Sequence, residues 1–268
     1  MNLMLNGKVV LVTAASRGLG FATARELAAE GAHVVICSRT QPAIDAAAER
    51  LRSDPAVSAS GAEVRPVAAD VTNSADIASL RDAALDRFGR IDALYVNAGG
   101  PPTGRFVALS PQDWEAATQL TIQSAVELIY AVLPTMREQG AGSILANTSV
   151  SVKHPLDDLI LSNSLRMAVV GLVKSLSIEL GPENIRVNAI GPGWTRTERV
   201  DRILESRAQA NNTTVAEEAA KTASSIPLRR IAEPEEYARV AAFLLSPAAS
   251  YVTGVTLLVD GGMSRSVL

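Results

Sequence analysis

The chain has 268 residues with 25 basic and 28 acidic side chains, a formal net charge of -3, and an aromatic content of only 4%. That balance leaves no electrostatic footprint for a polyanion and no aromatic platform for stacked bases, so nucleic acid and anionic membrane are excluded as expected partners. With 47% hydrophobic and 20% charged residues the composition is that of a soluble globule, and the length is enough for one large domain, expected to span residues 1–268.

The single Cys37 cannot close an internal disulfide, and no Cys/His spacing resembles a metal site, so no metal is expected. The first residues, MNLMLNGKVVLVTAASRG, lack the basic region, apolar core and cleavage site of a signal peptide, and the apolar run is too short to span a bilayer. A cytoplasmic protein is expected.

In chain order, the β-branched run VVLVT at 9–13 predicts a strand, and the turn TAASRGLG at 13–20 leads into a helix predicted over 19–30. Glycines at 18 and 20 allow close backbone approach, and a helix N-terminus there offers N–H groups and a positive dipole end to a pyrophosphate. Such a turn can also serve packing alone; its place at the first strand-to-helix junction of an alternating chain favours the phosphate. Arg17 lies inside the turn. The second strand, HVVICS at 33–38, is followed by Arg39, where an adenosine ribose belongs. An acidic residue there would take the free 2′-hydroxyl of NAD(H); Ser38 and Arg39 suit a 2′-phosphate instead, so NADP(H) is favoured over NAD(H).

Further strands are predicted at 63–69, 92–97, 143–149, 185–190 and 255–260, and helices at 75–88, 114–136, 159–180 and 235–245. The strand runs are almost continuously apolar, as burial on both faces requires. Their alternation with helices predicts an α/β fold with a doubly wound parallel sheet, a Rossmann fold with helices on both faces. Residues 194–232 form the most irregular stretch, charged and polar, and follow a strand's C-terminal end; a substrate lid is expected there, although a plain surface excursion reads the same way.

In LSNSLRM at 161–167, Ser162 and Arg166 stand four apart within a helical pattern and so share a helix face. Taken alone the pair is either a site or an ordinary solvated edge.

Taken together, these motifs resemble the short-chain dehydrogenases/reductases over nearly the whole chain, in the manner of the β-ketoacyl carrier-protein reductases. TAASRGLG stands for the family's Thr-Gly-x-x-x-Gly-x-Gly, with Ala14 in place of the first glycine; the resemblance thereby implies cofactor contacts from Thr13, Ser16, Arg17, Gly18, Leu19 and Gly20. Asp70 and Val71 match the pair that holds adenine, and VNAGG at 96–100 supplies Asn97, Ala98 and Gly99. GPGWTRT matches the segment beside the nicotinamide, carrying over Pro192, Gly193 and Thr197, and YVTGVTLLVDGG at 251–262 looks like the family's closing strand.

The catalytic positions depart from the pattern. Ser149 matches the family serine, but the tyrosine position falls on Ser162, the lysine position on Arg166 and the asparagine position on Thr121. In the family the phenol moves the substrate proton, and the lysine lowers the phenol's pKa and binds the nicotinamide ribose. A serine hydroxyl is a far weaker acid than a phenol, whereas an arginine can still bond ribose hydroxyls and stabilise an oxyanion beside Ser149 without passing protons. His154, on the loop after Ser149, is a candidate substitute proton donor or a surface histidine; Tyr95 reads as core.

Three readings follow. The first is an NADP(H)-dependent oxidoreductase of small carbonyl or alcohol substrates, with Ser149, Ser162 and Arg166 catalytic and Arg166 also on the cofactor. The second is a nucleotide-binding pseudoenzyme or partner subunit with little turnover. The third is a dehalogenase-like member, which keeps the tyrosine and needs no dinucleotide, so the cofactor motifs speak against it. The resemblance also implies a homo-oligomer, a tetramer or dimer, formed by the two long helices and the C-terminal helix and strand.

Overall fold

The computed structural model describes residues 2–266; the ends of the expected domain, residues 1, 267 and 268, lie outside the described residues. Its elements are β1 (Val9–Val12), α1 (Gly18–Ala29), β2 (His33–Ser38), α2 (Gln41–Arg52), α3 (Pro55–Ser60), β3 (Val64–Ala68), α4 (Ser74–Phe88) and β4 (Ala93–Val96). They continue with α5 (Pro111–Thr118), α6 (Ser124–Gln139), β5 (Gly142–Asn147), α7 (Ile160–Glu179), β6 (Ile185–Pro192), α8 (Glu198–Asn211), α9 (Val215–Ser225), α10 (Pro234–Leu245) and β7 (Thr256–Val259). The strands form one seven-stranded sheet in the order β3-β2-β1-β4-β5-β6-β7, every pair parallel.

Both faces of this sheet are covered, and strand alternation decides which side chain goes where. Val10 and Val12 of β1 point into a core shared with Leu27 of α1, Ile44 of α2 and Ala241 of α10. Val9 and Leu11 point the other way, into a core with Leu80 of α4, Leu128 of α6 and Val173 of α7. The expected doubly wound architecture is therefore observed. The strand order reverses between β1 and β4, and a crevice opens there at the carboxyl ends of the strands, which is where such sheets bind ligands.

Two regions differ from the sequence expectation. The predicted irregular stretch 194–232 contains α8 and α9, and a parallel bridge between Thr195 and Ala232 ties its two ends together. These helices bury little, chiefly Leu204 and Ala208 in α8 and Glu218 and Thr222 in α9, so the dense apolar content that betrays a core helix is missing. The predicted helix 114–136 belongs to a continuous helical run from Pro111 to Gln139, interrupted by a π turn over Gln119–Gln123. By length and composition alone that run could cross a bilayer. Here its apolar side, Leu128, Val132 and Met136, is buried in the core.

Asp92 fastens the first strand to the fourth. Its carboxylate accepts from the Val9 N–H at 2.9 Å, from Lys8 Nζ at 3.2 Å and from Arg90 Nη2 at 2.6 Å. Burial disfavours the charge, but the Arg90, Val9 and Lys8 contacts outweigh it and hold the carboxyl below its usual range. A depressed folded-state pKa stabilises above the ordinary carboxylate pKa of about 4 and is lost as pH falls through the folded value. Asp92→Asn is expected to cost about 1–3 kcal/mol near neutral pH. Urea denaturation of both proteins checks this, and the gap between them should shrink on acidification.

Candidate active site

The sheet's switch point carries a cavity of about 740 Å³, and the wall of that cavity is where most of the predicted residues meet. On one side the turn after β1 brings Ser16, Arg17, Gly18, Leu19 and Gly20 to the opening of α1. No side chain caps that helix, so its first N–H groups remain free for a ligand. Gly20 is indispensable to the approach: a Cβ there would lie 2.3 Å from the Ala14 carbonyl oxygen and 2.8 Å from Asn97 Nδ2. Ala14 keeps the left-handed backbone, with φ of 49°, at a cost of about 1–2 kcal/mol that a glycine would not incur.

Thr13 is placed differently from expectation. It is fully buried beneath the turn, its hydroxyl donating to the Asn97 carbonyl at 2.6 Å and accepting from the Asn97 N–H at 2.8 Å. It therefore ties the end of β1 to the end of β4 and acts on the cavity through Asn97, without lining it. Asn97, Ala98 and Gly99 do line it.

Toward the adenosine end, Arg39 is exposed after β2 and lines the cavity together with Ser38, Asp70 and Val71. Asp70 is oriented by Thr72, whose N–H and hydroxyl donate to Oδ1 at 2.9 and 2.8 Å. Arg17 is engaged across the opening: its guanidinium pairs with Glu198, the first residue of α8. Gly18 faces Thr197 from the same side, a Cβ there lying 3.6 Å from Thr197 Cγ2. The stretch after β6 thus lies against the glycine turn, and Pro192, Gly193 and Thr197 line the cavity along with it.

At the opposite end stand Ser149, Ser162 and Arg166, all lining the cavity. Ser149 follows β5 and its Oγ accepts from the Ser151 N–H at 3.1 Å; Ser151 Oγ in turn lies 3.4 Å from Ser162 Oγ. Ser162 and Arg166 are both buried on α7, so the i, i+4 pair is no solvated edge. Arg166 Nη1 donates to the Asn147 carbonyl at 2.8 Å. Burial, reinforced by the nearby Arg199 cation, pushes the Arg166 guanidinium down to about 10, which leaves it charged at neutral pH.

The other candidates lie elsewhere. His154 is exposed and does not line the cavity, and neither does Thr121, which sits in the π turn with its hydroxyl buried and unpaired by protein groups. Tyr95 and Tyr237 are fully buried, and burial drives both phenols well above their ordinary pKa. Tyr237 donates to Asn147 Oδ1 at 2.9 Å, which leaves its 2.8 Å contact with Tyr95 to be donated by Tyr95. Asn147 Nδ2 then donates to Asn97 Oδ1 at 2.8 Å, and Asn97 Nδ2 donates to the carbonyls of Thr13 and Ala14. This chain ends on backbone acceptors, so it fixes the strand ends and delivers no proton to the cavity. Among the described residues no group of three or more potential ligands could hold a metal.

The parallel sheet with a glycine turn at its switch point is the architecture of dinucleotide-dependent oxidoreductases. A family model described as enoyl-(acyl carrier protein) reductase matches residues 13–264. Dehydrogenase/reductase SDR family member 4 of Oryctolagus cuniculus is 35% identical over 259 residues, which cover 96% of this chain and 94% of that protein. The structure of L-sorbose reductase from Gluconobacter frateurii, complexed with NADPH and L-sorbose, matches 100% of both chains with a TM-score of 0.93 at 30% identity. That of 3-ketoacyl-(acyl-carrier-protein) reductase from Brucella melitensis, complexed with NADH, matches 97% of this chain and 99% of that one, with a TM-score of 0.83 at 30% identity. The chain belongs to the short-chain dehydrogenase/reductase family of oxidoreductases.

Proposed function

We propose that the protein is an NADP(H)-dependent reductase or dehydrogenase of small carbonyl or alcohol compounds, in which Ser149, Ser162 and Arg166 share the work of the family's serine, tyrosine and lysine. The observation that carries this reading is the meeting, in one cavity, of a free helix N-terminus and two arginines at one end with two hydroxyls and a buried cation at the other. The residues fit the cofactor: Gly20 leaves room for close backbone approach, the N–H groups of α1 suit a pyrophosphate, and Arg39 with Arg17 suits a 2′-phosphate. Among the described residues no carboxylate pairs with Arg39; Arg17 would have to share itself with Glu198. Of the two solved structures compared, one holds NADPH and the other NADH, so the preference rests on these arginines.

When bound, the nicotinamide supplies or removes a hydride. The chain's own residues then hold the substrate oxygen. Ser149 and Ser162 donate hydrogen bonds to it, and the Arg166 cation stabilises the negative charge that develops there while bonding the ribose. Positioning donor and acceptor together contributes about 7–11 kcal/mol, more than the 3–5 kcal/mol of an acid/base group, so the reaction survives loss of the phenol. The proton comes from solvent through the serine hydroxyls.

NADPH oxidation followed by absorbance across a carbonyl panel tests the reading. Ser149→Ala is expected to lower kcat/KM about 10²-fold; an unchanged rate removes Ser149 from the site. A second reading, a nucleotide-binding protein with little turnover, is favoured by the burial of Tyr95 and Tyr237 and the exposure of His154, which leave no phenol or imidazole lining the cavity among the described residues. NADPH binding without oxidation across the panel would select it. We further propose a homo-oligomer: Tyr130 of α6 and Met167 and Ile178 of α7 leave apolar surface exposed on the long helices, at 71%, 48% and 70% of their areas.

A further inference from the structure

Arg199, the second residue of α8, has a setting unlike that of the other cavity arginines. Its guanidinium lies on Gly100, in the loop after β4: a Cβ at residue 100 would sit 1.5 Å from Arg199 Nη1 and 2.1 Å from Cζ. The cation thus occupies the space that any other residue at 100 would fill. Of its five N–H donors, the protein engages Nη2 alone, at 3.4 Å from the Pro101 carbonyl. It is half-buried and lines the cavity, yet no carboxylate pairs with it among the described residues.

The acids that could neutralise it are committed elsewhere. Among the described residues the acids lining the cavity are Asp70 and Glu198; Asp70 is bonded to Thr72 toward the adenosine end, and Glu198 pairs with Arg17. Arg199 is also close enough to Arg166 for the two cations to repel, and burial lowers both guanidiniums. Two desolvated like charges with no counter-ion are costly, and such an arrangement persists where a ligand supplies the missing charge. The same cavity is lined by the apolar side chains of Trp194, Leu156, Leu159 and Ile203, with the Arg207 guanidinium over the Trp194 ring at 4.9 Å.

We infer that Arg199 is a specificity-determining residue that binds a carboxylate, and that the pocket's substrates are oxo acids, or the matching hydroxy acids, with an apolar body lying on Trp194 and Leu159. Arg166 is then left to the reacting oxygen. The inference deepens the carbonyl-reductase reading and rests on it for the reacting group, while the carboxylate site stands on Arg199 and Gly100 alone. A single formal charge separates an oxo acid from its ester, so the guanidinium discriminates between them by a charge-assisted, bidentate contact.

The test is calorimetric, on the protein saturated with NADP+, using pyruvate, levulinate and phenylpyruvate, each against its methyl ester. At least one acid is expected to bind about tenfold or more tighter than its ester. Arg199→Gln should erase that preference and Arg199→Lys should retain part of it, with the Kd for NADPH moving less than about threefold in either. Equal binding of acid and ester, or no binding of any acid, overturns the inference. So does a loss of NADPH affinity in Arg199→Gln as large as the loss for the acid, which makes the residue a contact to cofactor phosphate. Should Arg199→Gln fail to fold, the comparison of acid and ester on the unaltered protein and on Arg199→Lys still decides. Because binding is read without turnover, acids that bind but are never reduced refute the reductase reading and leave the carboxylate site standing.

Discussion

Replacing Ser162 by tyrosine together with Arg166 by lysine is expected to raise carbonyl-reductase turnover by about 10²–10⁴-fold, the usual worth of a positioned general acid/base. The two positions lie one turn apart on the same face of α7, both line the cavity, and Ser162 already contacts the Ser151 hydroxyl beside Ser149. A phenol placed there points at the same space as the serine hydroxyl and titrates near 10, within reach of a neighbouring cation's influence; an alkyl hydroxyl has no accessible pKa. Lysine is required with it because Arg166 spends Nη1 on the Asn147 carbonyl and fills the depth of the site with a rigid fork. Steady-state rates with NADPH and a carbonyl that the unaltered protein reduces give the comparison. The pH profile gives a second reading, since the double variant should gain an ionisation that the parent lacks. A flat rate in a folded, NADPH-binding double variant contradicts the assignment of this face as the reacting site.

Gly20→Val is expected to abolish NADPH binding and to cost about 1–3 kcal/mol of stability or more. The Cβ would stand 2.3 Å from the Ala14 carbonyl oxygen, a backbone atom that cannot rotate away, and 2.8 Å from Asn97 Nδ2. Relief requires moving the glycine turn off the end of β4, which breaks the bonds from Asn97 Nδ2 to the carbonyls of Thr13 and Ala14. The Asn97–Asn147–Tyr237 chain would be disturbed with them. Gly18→Ala is a useful contrast. There φ is +58° but the added Cβ meets only Thr197, at 3.6 Å, so its penalty is the local backbone strain of about 1–2 kcal/mol. Urea denaturation and NADPH fluorescence titration of both variants should rank them in that order; normal NADPH affinity in Gly20→Val would show that the turn does not carry the cofactor.

What the sequence makes legible here follows from how local each signal is. The strands are readable because burial on both faces makes them continuously apolar, and the order of strands and helices then restricts the topology to a doubly wound sheet. The glycine turn and Ser149 are readable as short motifs tied to strand ends. α8 and α9 are obscure because they are polar overall and bury few apolar side chains, although Thr214 with Glu217 forms a capping box that marks the start of α9 in plain letters. Ser162 and Arg166 can be paired from their spacing, but their burial cannot, because it is imposed by the loop and strand packed against α7. Thr13 reads as a cofactor contact because its position matches a motif, while its actual partners belong to a strand far along the chain. Arg199 carries no signal at all in isolation. It becomes meaningful only against Gly100 and the prior commitment of Glu198 to Arg17, relations that folding alone creates.

The most direct test of the account is calorimetric titration of the folded protein with NADPH and with NADH, repeated on an Arg17→Ala, Arg39→Ala double variant. A guanidinium contact to the 2′-phosphate is worth about 1.5–3 kcal/mol, so NADPH is expected to bind about tenfold or more tighter than NADH, and the difference should collapse in the double variant while NADH binding persists. No heat with either nucleotide, or equal affinities in the unaltered protein, would contradict it.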